Sequence, residues 1–133
     1  MSLLIKFRLH QVAVTADIKS AYLSIGLAAS DRPLFRFLWR APGEDLTRTF
    51  EMQKVPWGAA SSGFLLAATI RSHLTKFDPE LGPELSRQFY ADDYVQSFPS
   101  EALAVQRTGR LRDAMSAADM KLAKWKTNSV LVA

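Results

Sequence analysis

The sequence predicts an α+β domain in which an antiparallel sheet is covered on one face by two long helices. Three observations carry this expectation. Val12-Ala13-Val14-Thr15-Ala16 alternates at period two and runs into a carboxylate, Asp17. Phe89, Tyr90, Tyr94 and Val95 are strand-type side chains that bracket Asp92-Asp93, a pair with turn chemistry, so the segment reads as a β-hairpin with an acidic tip. Two stretches, opened by Ser61-Ser62 and by Ser100, place apolar residues at helical spacing. The resulting order, β-α-β-β-α-β-β-α-β, belongs to the α+β class.

In chain order, residues 1–10 alternate basic and apolar groups, which suits an amphipathic helix end or a strand. The strand through Ala16 delivers Asp17 to its end, where a carboxylate can face a cleft. Ile18, Ala21, Tyr22 and Ile25 then share a helical face, predicting a short helix stopped by Gly26. Arg32-Pro33 opens a second β region, in which Leu34–Arg40 pairs with Leu46–Met52 across a connection containing Pro42-Gly43. Pro56 and Gly58 interrupt the chain before a helix through Phe64, Leu65, Ala68, Ile70 and Leu74 that ends near Phe77. Asp78-Pro79 and Gly82-Pro83 read as a loop, and Leu85 to Phe98 as the acidic hairpin. Ser100 caps the second long helix, apolar at Leu103, Ala104, Leu111, Ala114, Met115 and Ala118 and weakened by roughly 1 kcal/mol at Gly109. Lys121 to Val132 is strand-like.

A chain of 133 residues with 48% apolar content supports one domain, 1–133, with a core of its own. No apolar run approaches the roughly 20 residues that span a bilayer, and Lys6, Arg8 and His10 leave no room for a signal-peptide core, so no membrane association and an intracellular location are expected. Cysteine is absent, which excludes disulfides and thiolate metal sites. A net charge of +4 permits phosphate contacts without demanding them. His10 and His73 are isolated, and neither a P-loop nor a nucleotide-binding glycine fingerprint is present.

The chemistry is carried by carboxylates. An Asp-Asp pair is most simply a solvated turn, and Asp17 has the position of a helix N-cap. Yet Asp17 also follows a strand-like run, so the three carboxylates could converge; close together they would repel one another without a cation, and Mg²⁺ takes hard oxygen ligands of this kind. Tyr90-Ala91-Asp92-Asp93 resembles the YxDD motif of reverse transcriptases. Asp17 followed five residues later by Tyr22 resembles their first catalytic motif. With Val55-Pro56-Trp57-Gly58 and Lys124-Trp125-Lys126 in the same order, the chain from about Leu3 to Val132 is similar to the polymerase palm of an LTR retrotransposon, most closely the Bel/Pao group.

That resemblance implies a partial reverse-transcriptase domain. It would comprise a palm with a finger hairpin at about 32–54, and would lack the N-terminal fingers, thumb and RNase H of a longer polyprotein. It implies RNA-directed DNA synthesis on an RNA or DNA template-primer from deoxynucleoside triphosphates, with two Mg²⁺ ions, replaceable by Mn²⁺. The setting would be the cytoplasm, a virus-like particle or the nucleus. Asp17 and Asp92 would be the principal metal ligands, with Asp93 beside them and the backbone carbonyl of Ile18 completing the coordination. Lys19, Ser20, Ala21 and Tyr22 would run beneath the triphosphate. Tyr22 would be the steric gate against a 2′-hydroxyl, or alternatively a core aromatic. Trp57, Gly58 and Tyr90 would contact nucleotide or template. Lys124 or Lys126 would protonate pyrophosphate, or both would be solvated strand charges. Arg36, Arg40 and Arg48 on the finger strands could touch phosphate or be surface charge.

The chain departs from the family pattern at Trp57, where Phe or Gln is usual, and at Gly63, where Pro is frequent. A non-catalytic palm that binds nucleic acid or a protein is therefore the alternative. Viral RNA polymerases and nucleotide cyclases would show Gly-Asp-Asp or Gly-Gly-Asp-Glu-Phe at the hairpin, and neither is present.

Overall fold

The computed structural model describes residues 3–132; the outermost residues of the expected 1–133 domain and of the 1–10 stretch lie outside the described residues. After a single turn of helix, α1 (Leu3–Lys6), the chain enters β1 (Val12–Ile18), where burial alternates along the strand. Val12, Val14, Ala16 and Ile18 are buried and the residues between them half-buried. This is the period-two pattern of a strand with one face against a core.

Two further strands lie apart from it: β2 (Arg36–Trp39) and β3 (Arg48–Glu51), joined through a turn in which the Glu44 N–H donates to the Ala41 carbonyl and Gly43 has φ +83°. Then follow α2 (Ser62–Phe77), α3 (Gly82–Leu85), β4 (Phe89–Tyr90), β5 (Asp93–Phe98), α4 (Glu101–Ala117) and β6 (Leu122–Thr127). The main sheet has the order β4-β5-β1-β6, with every neighbouring pair antiparallel. Leu66, Ile70 and Leu74 of α2, spaced one turn apart, join Ala104, Leu111, Ala114 and Met115 of α4 and the buried face of β1 in one core. The Ser100 hydroxyl accepts from the Leu103 N–H at 3.3 Å and starts α4. His73 Nε2 lies 2.6 Å from the Ala114 carbonyl and stitches the two long helices together.

Several local expectations are corrected. The short helix from Ile18 is a strand end, a turn and a 3₁₀ turn at Ala21–Ser24, because the Ile18 N–H donates to the Asp92 carbonyl at 2.9 Å and so remains in the sheet. Residues Arg32–Phe35 form a 3₁₀ turn, so β2 begins at Arg36 rather than Leu34. On α2, Phe64 and Ala68 are exposed; the buried stripe runs through Leu66 instead. The stretch at Gly82–Gln88 is helical, and the hairpin starts at Phe89, not Leu85. The last strand stops at Thr127.

Gly109 lies inside α4 with open space where a Cβ would stand. Gly109→Ala is therefore expected to stabilise the fold by about 1 kcal/mol through helix propensity, read as a higher urea midpoint at unchanged slope.

Candidate active site

The register of β1 with β5 sets Asp17 opposite Asp93 and Thr15 opposite Val95. Directly opposed residues share a sheet face, so the two carboxylates stand side by side on the face turned away from the core. Only two residues, Ala91 and Asp92, connect β4 to β5, and Ala91 takes φ +52°. A two-residue hairpin loop needs such left-handed backbone, which alanine adopts at some strain. The Asp92 carbonyl, by accepting from Ile18, ties this tip to the end of β1. Asp92 is half-buried and Asp93 exposed.

On the other side of β1, the pairing with β6 is irregular. Thr15 faces Lys126 and Asp17 faces Ala123, so Lys124 and Trp125 together oppose Ala16 alone: a β-bulge. Lys124 has φ +51° there. Its Nζ lies 2.7 Å from Asp17 Oδ2. The hydrogen bond to Asp17, then the charge of Asp17 and, more weakly, those of Asp93 and Asp92, push the Lys124 ammonium above the usual lysine range, with slight burial opposing. Trp125 turns the other way and packs against the core, its ring centroid 6.5 Å from that of Tyr94.

Tyr94, the residue after the acidic pair, is fully buried. It stacks at a tilt on Phe89, 5.5 Å between centroids, and donates its hydroxyl to Gln96 Oε1 at 2.6 Å. Burial, reinforced by the charge of Glu84 and opposed by Arg107, drives its phenol far above the ordinary range, so the ring stays neutral. Phe89, Tyr94 and Trp125 thus anchor β4, β5 and β6 beneath the acidic tip.

A cleft of about 280 Å³ opens on this face, lined by Thr15, Asp17, Asp93, Val95, Lys124 and Lys126 together with Ala16. Sequence reasoning passed over Thr15 and Val95. Their signal was position, since each lies two residues from an aspartate in a period-two strand and so on its face. Among the described residues no three acidic or histidine side chains surround one point. The carboxylates form a cross-strand pair, Asp17 with Asp93, and Asp92 at the adjoining turn.

The other expected residues are placed around this centre. Lys19 and Ser20 form the exposed turn after β1, Ser20 at φ +53°; Ala21 is buried in the core and Tyr22 packs half-buried against it. Trp57 is 85% exposed, and Gly58 at φ +89° has open space around its Cα, so glycine serves the backbone angle there. The Ser62 hydroxyl donates to the Pro56 carbonyl at 2.7 Å and fixes that loop to the start of α2. Tyr90 is 74% exposed at the hairpin. Tyr22, Trp57, Gly58 and Tyr90 do not line the cleft. Arg36 pairs with Glu51 at 3.3 Å and Arg48 with Glu44 at 3.6 Å. No helix among the described residues is long and apolar enough to cross a membrane.

Comparison with known proteins gives two relatives and a family. The chain is 27% identical over 95 residues to the Pol polyprotein of Feline endogenous virus ECE1, a match covering 71% of this chain and 9% of that protein. It is also 27% identical over 95 residues to the Gag-Pol polyprotein of Baboon endogenous virus (strain M7), covering 71% of this chain and 5% of that one. The chain thus corresponds to a small part of these polyproteins. The family described as Reverse transcriptase (RNA-dependent DNA polymerase) matches residues 3–132. Because that match spans nearly the whole chain, the chain belongs to the reverse transcriptase family.

Proposed function

We propose that this chain is the catalytic palm of an RNA-directed DNA polymerase. It would transfer deoxynucleotides to a primer 3′-hydroxyl as one part of a retroelement polyprotein. The observation that carries the reading is the cross-strand pair Asp17 and Asp93 with Asp92 at the turn beside them. Mg²⁺ is commonly held by one or two carboxylates together with water and substrate phosphates, so this open donor set suits it. Asp17, Asp92, Asp93 and the carbonyl of Ile18 would hold two ions. When bound, such ions activate the primer oxygen and stabilise the leaving pyrophosphate.

The chain's own residues do the rest by position. The turn after β1, from Lys19 to Ala21, runs out from the carboxylates where a triphosphate would lie. Lys124 and Lys126 face the same cleft and either ammonium can pass a proton to the leaving group. Trp57, Gly58 and Tyr90, which lie outside the cleft, would meet a nucleotide or template, and Tyr22, packed half-buried against the core, would be the gate against a 2′-hydroxyl. The order Val-Pro-Trp-Gly, Tyr-Ala-Asp-Asp and Lys-Trp-Lys along the chain supports a Bel/Pao-type element.

The finger hairpin leaves Leu38 at 71% and Trp39 at 57% exposure, apolar surface that other polymerase segments would cover. Little primer extension is therefore expected from these 133 residues alone.

Mn²⁺ titration tests the centre directly. The chain should bind Mn²⁺, and Asp17→Asn and Asp92→Asn should each weaken binding by about tenfold or more, the order of a lost unit charge at a partly exposed ion site. The alternative of a non-catalytic palm draws on the Lys124–Asp17 ion pair, in which a lysine already neutralises the carboxylate. It is the correct reading if Mn²⁺ binding is absent or indifferent to Asp17.

A further inference from the structure

We propose that the Lys124 ammonium is the resident cation of the acidic cleft, bound to Asp17 while no divalent ion is present and displaced into water when one arrives. Metal binding to this site is then an exchange against a lysine. The inference rests on the metal-centre reading of the cleft and adds to it a residue that sets affinity.

Three features of the molecule carry it. The Nζ–Oδ2 separation of 2.7 Å puts the ammonium on a carboxylate that the proposed function assigns to metal. The backbone reaches that point through the β6 bulge, where Lys124 adopts a left-handed φ of +51°. A side chain other than glycine in that region is uncommon, and such strain persists only where the surroundings impose it, frequently at functional sites. The third feature is access: the Lys124 side chain is 73% exposed and that of Asp17 24%. The lysine can therefore leave along its flexible stem into solvent without opening the core, whereas Asp17 stays in place on β1.

Charge explains why a resident cation is useful. Asp17 and Asp93 oppose one another at one end of the sheet with Asp92 at the adjoining turn, and with no counter-ion these charges would oppose the closure of the hairpin on β1. The ammonium bonded to Asp17 offsets part of that charge, and a divalent ion in its stead would offset more. Lys126 is the internal comparison. It lines the same cleft, opposite Thr15, and adds the same charge to the local field. Lys124 alone of the two is hydrogen-bonded to Asp17.

The test is Mn²⁺ binding, followed by calorimetry or by the electron paramagnetic resonance signal of free Mn²⁺, on the whole chain and on Lys124→Gln, Lys126→Gln and Asp17→Asn. Lys124→Gln should bind Mn²⁺ about 5- to 10-fold more tightly than wild type, and Lys126→Gln less than about 2-fold more tightly, as expected for a screened charge without contact. Lys124→Gly, which suits the left-handed backbone, should tighten binding as Lys124→Gln does. Unchanged or weaker binding in both Lys124 variants overturns the exchange, and so does an equal gain in Lys126→Gln, which would mean a general field. Loss of binding in Asp17→Asn with no gain in the Lys124 variants overturns the exchange alone. Wild-type affinity in Asp17→Asn, or no binding by any protein, overturns the metal centre and the exchange with it.

Discussion

Asparagine at position 17, in a polymerase that carries this chain with its flanking segments, is expected to lower primer extension with Mg²⁺ on the order of 10³-fold while leaving the thermal midpoint within a few degrees. Almost all the catalysis in phosphoryl transfer is positioning and charge stabilisation, so a lost ligand removes transition-state stabilisation with little else to replace it. A single donor aimed at developing charge is worth about 10²–10³ in rate, and a carboxylate that anchors an ion exceeds a neutral donor. Stability should hardly move. Asparagine is nearly isosteric, position 17 lies at the solvent-facing end of β1, and the lysine it would abandon is exposed. Asp92→Asn should fall by a similar factor. Undiminished extension in both variants would sink the polymerase reading; a loss accompanied by a collapsed melting transition would mean that the carboxylates act in folding.

How far the sequence discloses such a site depends on what fixes each residue. The strand before Asp17 was legible because one face is buried, and alternation then shows in the letters themselves: Val12, Val14, Ala16 and Ile18 inward. The hairpin was legible for the same reason, together with the turn chemistry of Asp. Which aspartate faces Asp17 was not, since that depends on the register of β5 against β1, two strands far apart in the chain. A slip of one residue in that pairing would have set a different side chain opposite Asp17, and no local turn chemistry fixes it.

The β6 bulge left no trace either, because Leu-Ala-Lys-Trp-Lys-Thr alternates acceptably with or without an extra residue, and the left-handed position holds a lysine in place of a glycine. At Ile18 a long-range hydrogen bond from its N–H to the Asp92 carbonyl overrode a locally plausible helical spacing. On α2 two apolar stripes compete in the sequence. Packing against α4 and the sheet chose Leu66, Ile70 and Leu74, and left Phe64 75% exposed.

The second large effect concerns a glycine the sequence marked only as loop. Gly82→Ala is expected to destabilise the domain by about 2–4 kcal/mol, a range typical of overpacking where the obstacle cannot yield. A Cβ at position 82 would stand 2.0 Å from the Leu74 carbonyl oxygen, 2.3 Å from its carbon and 2.7 Å from the Thr75 nitrogen. These are backbone atoms of α2, so no rotamer relieves the clash, and one side must move. Both sides are held. The Asp78 N–H donates to that Leu74 carbonyl at 2.9 Å, and the Gly82 N–H donates to the Asp78 carbonyl at 2.7 Å. The Asp78 carboxylate in turn accepts from the Leu81 N–H at 3.0 Å and meets Arg110 of α4 at 2.6 Å. Displacing α3 would also shift Leu85, fully buried one turn later, and with it the entry of the chain into the acidic hairpin. For a domain of this size the loss corresponds to a fall in thermal midpoint of about 10–20 °C. Equilibrium urea unfolding measures it, with Gly109→Ala as the paired control in which the added methyl enters open space. A Gly82→Ala midpoint equal to wild type would show that α3 can slide off α2 freely, and the coupling of that helix end to the hairpin would have to be abandoned.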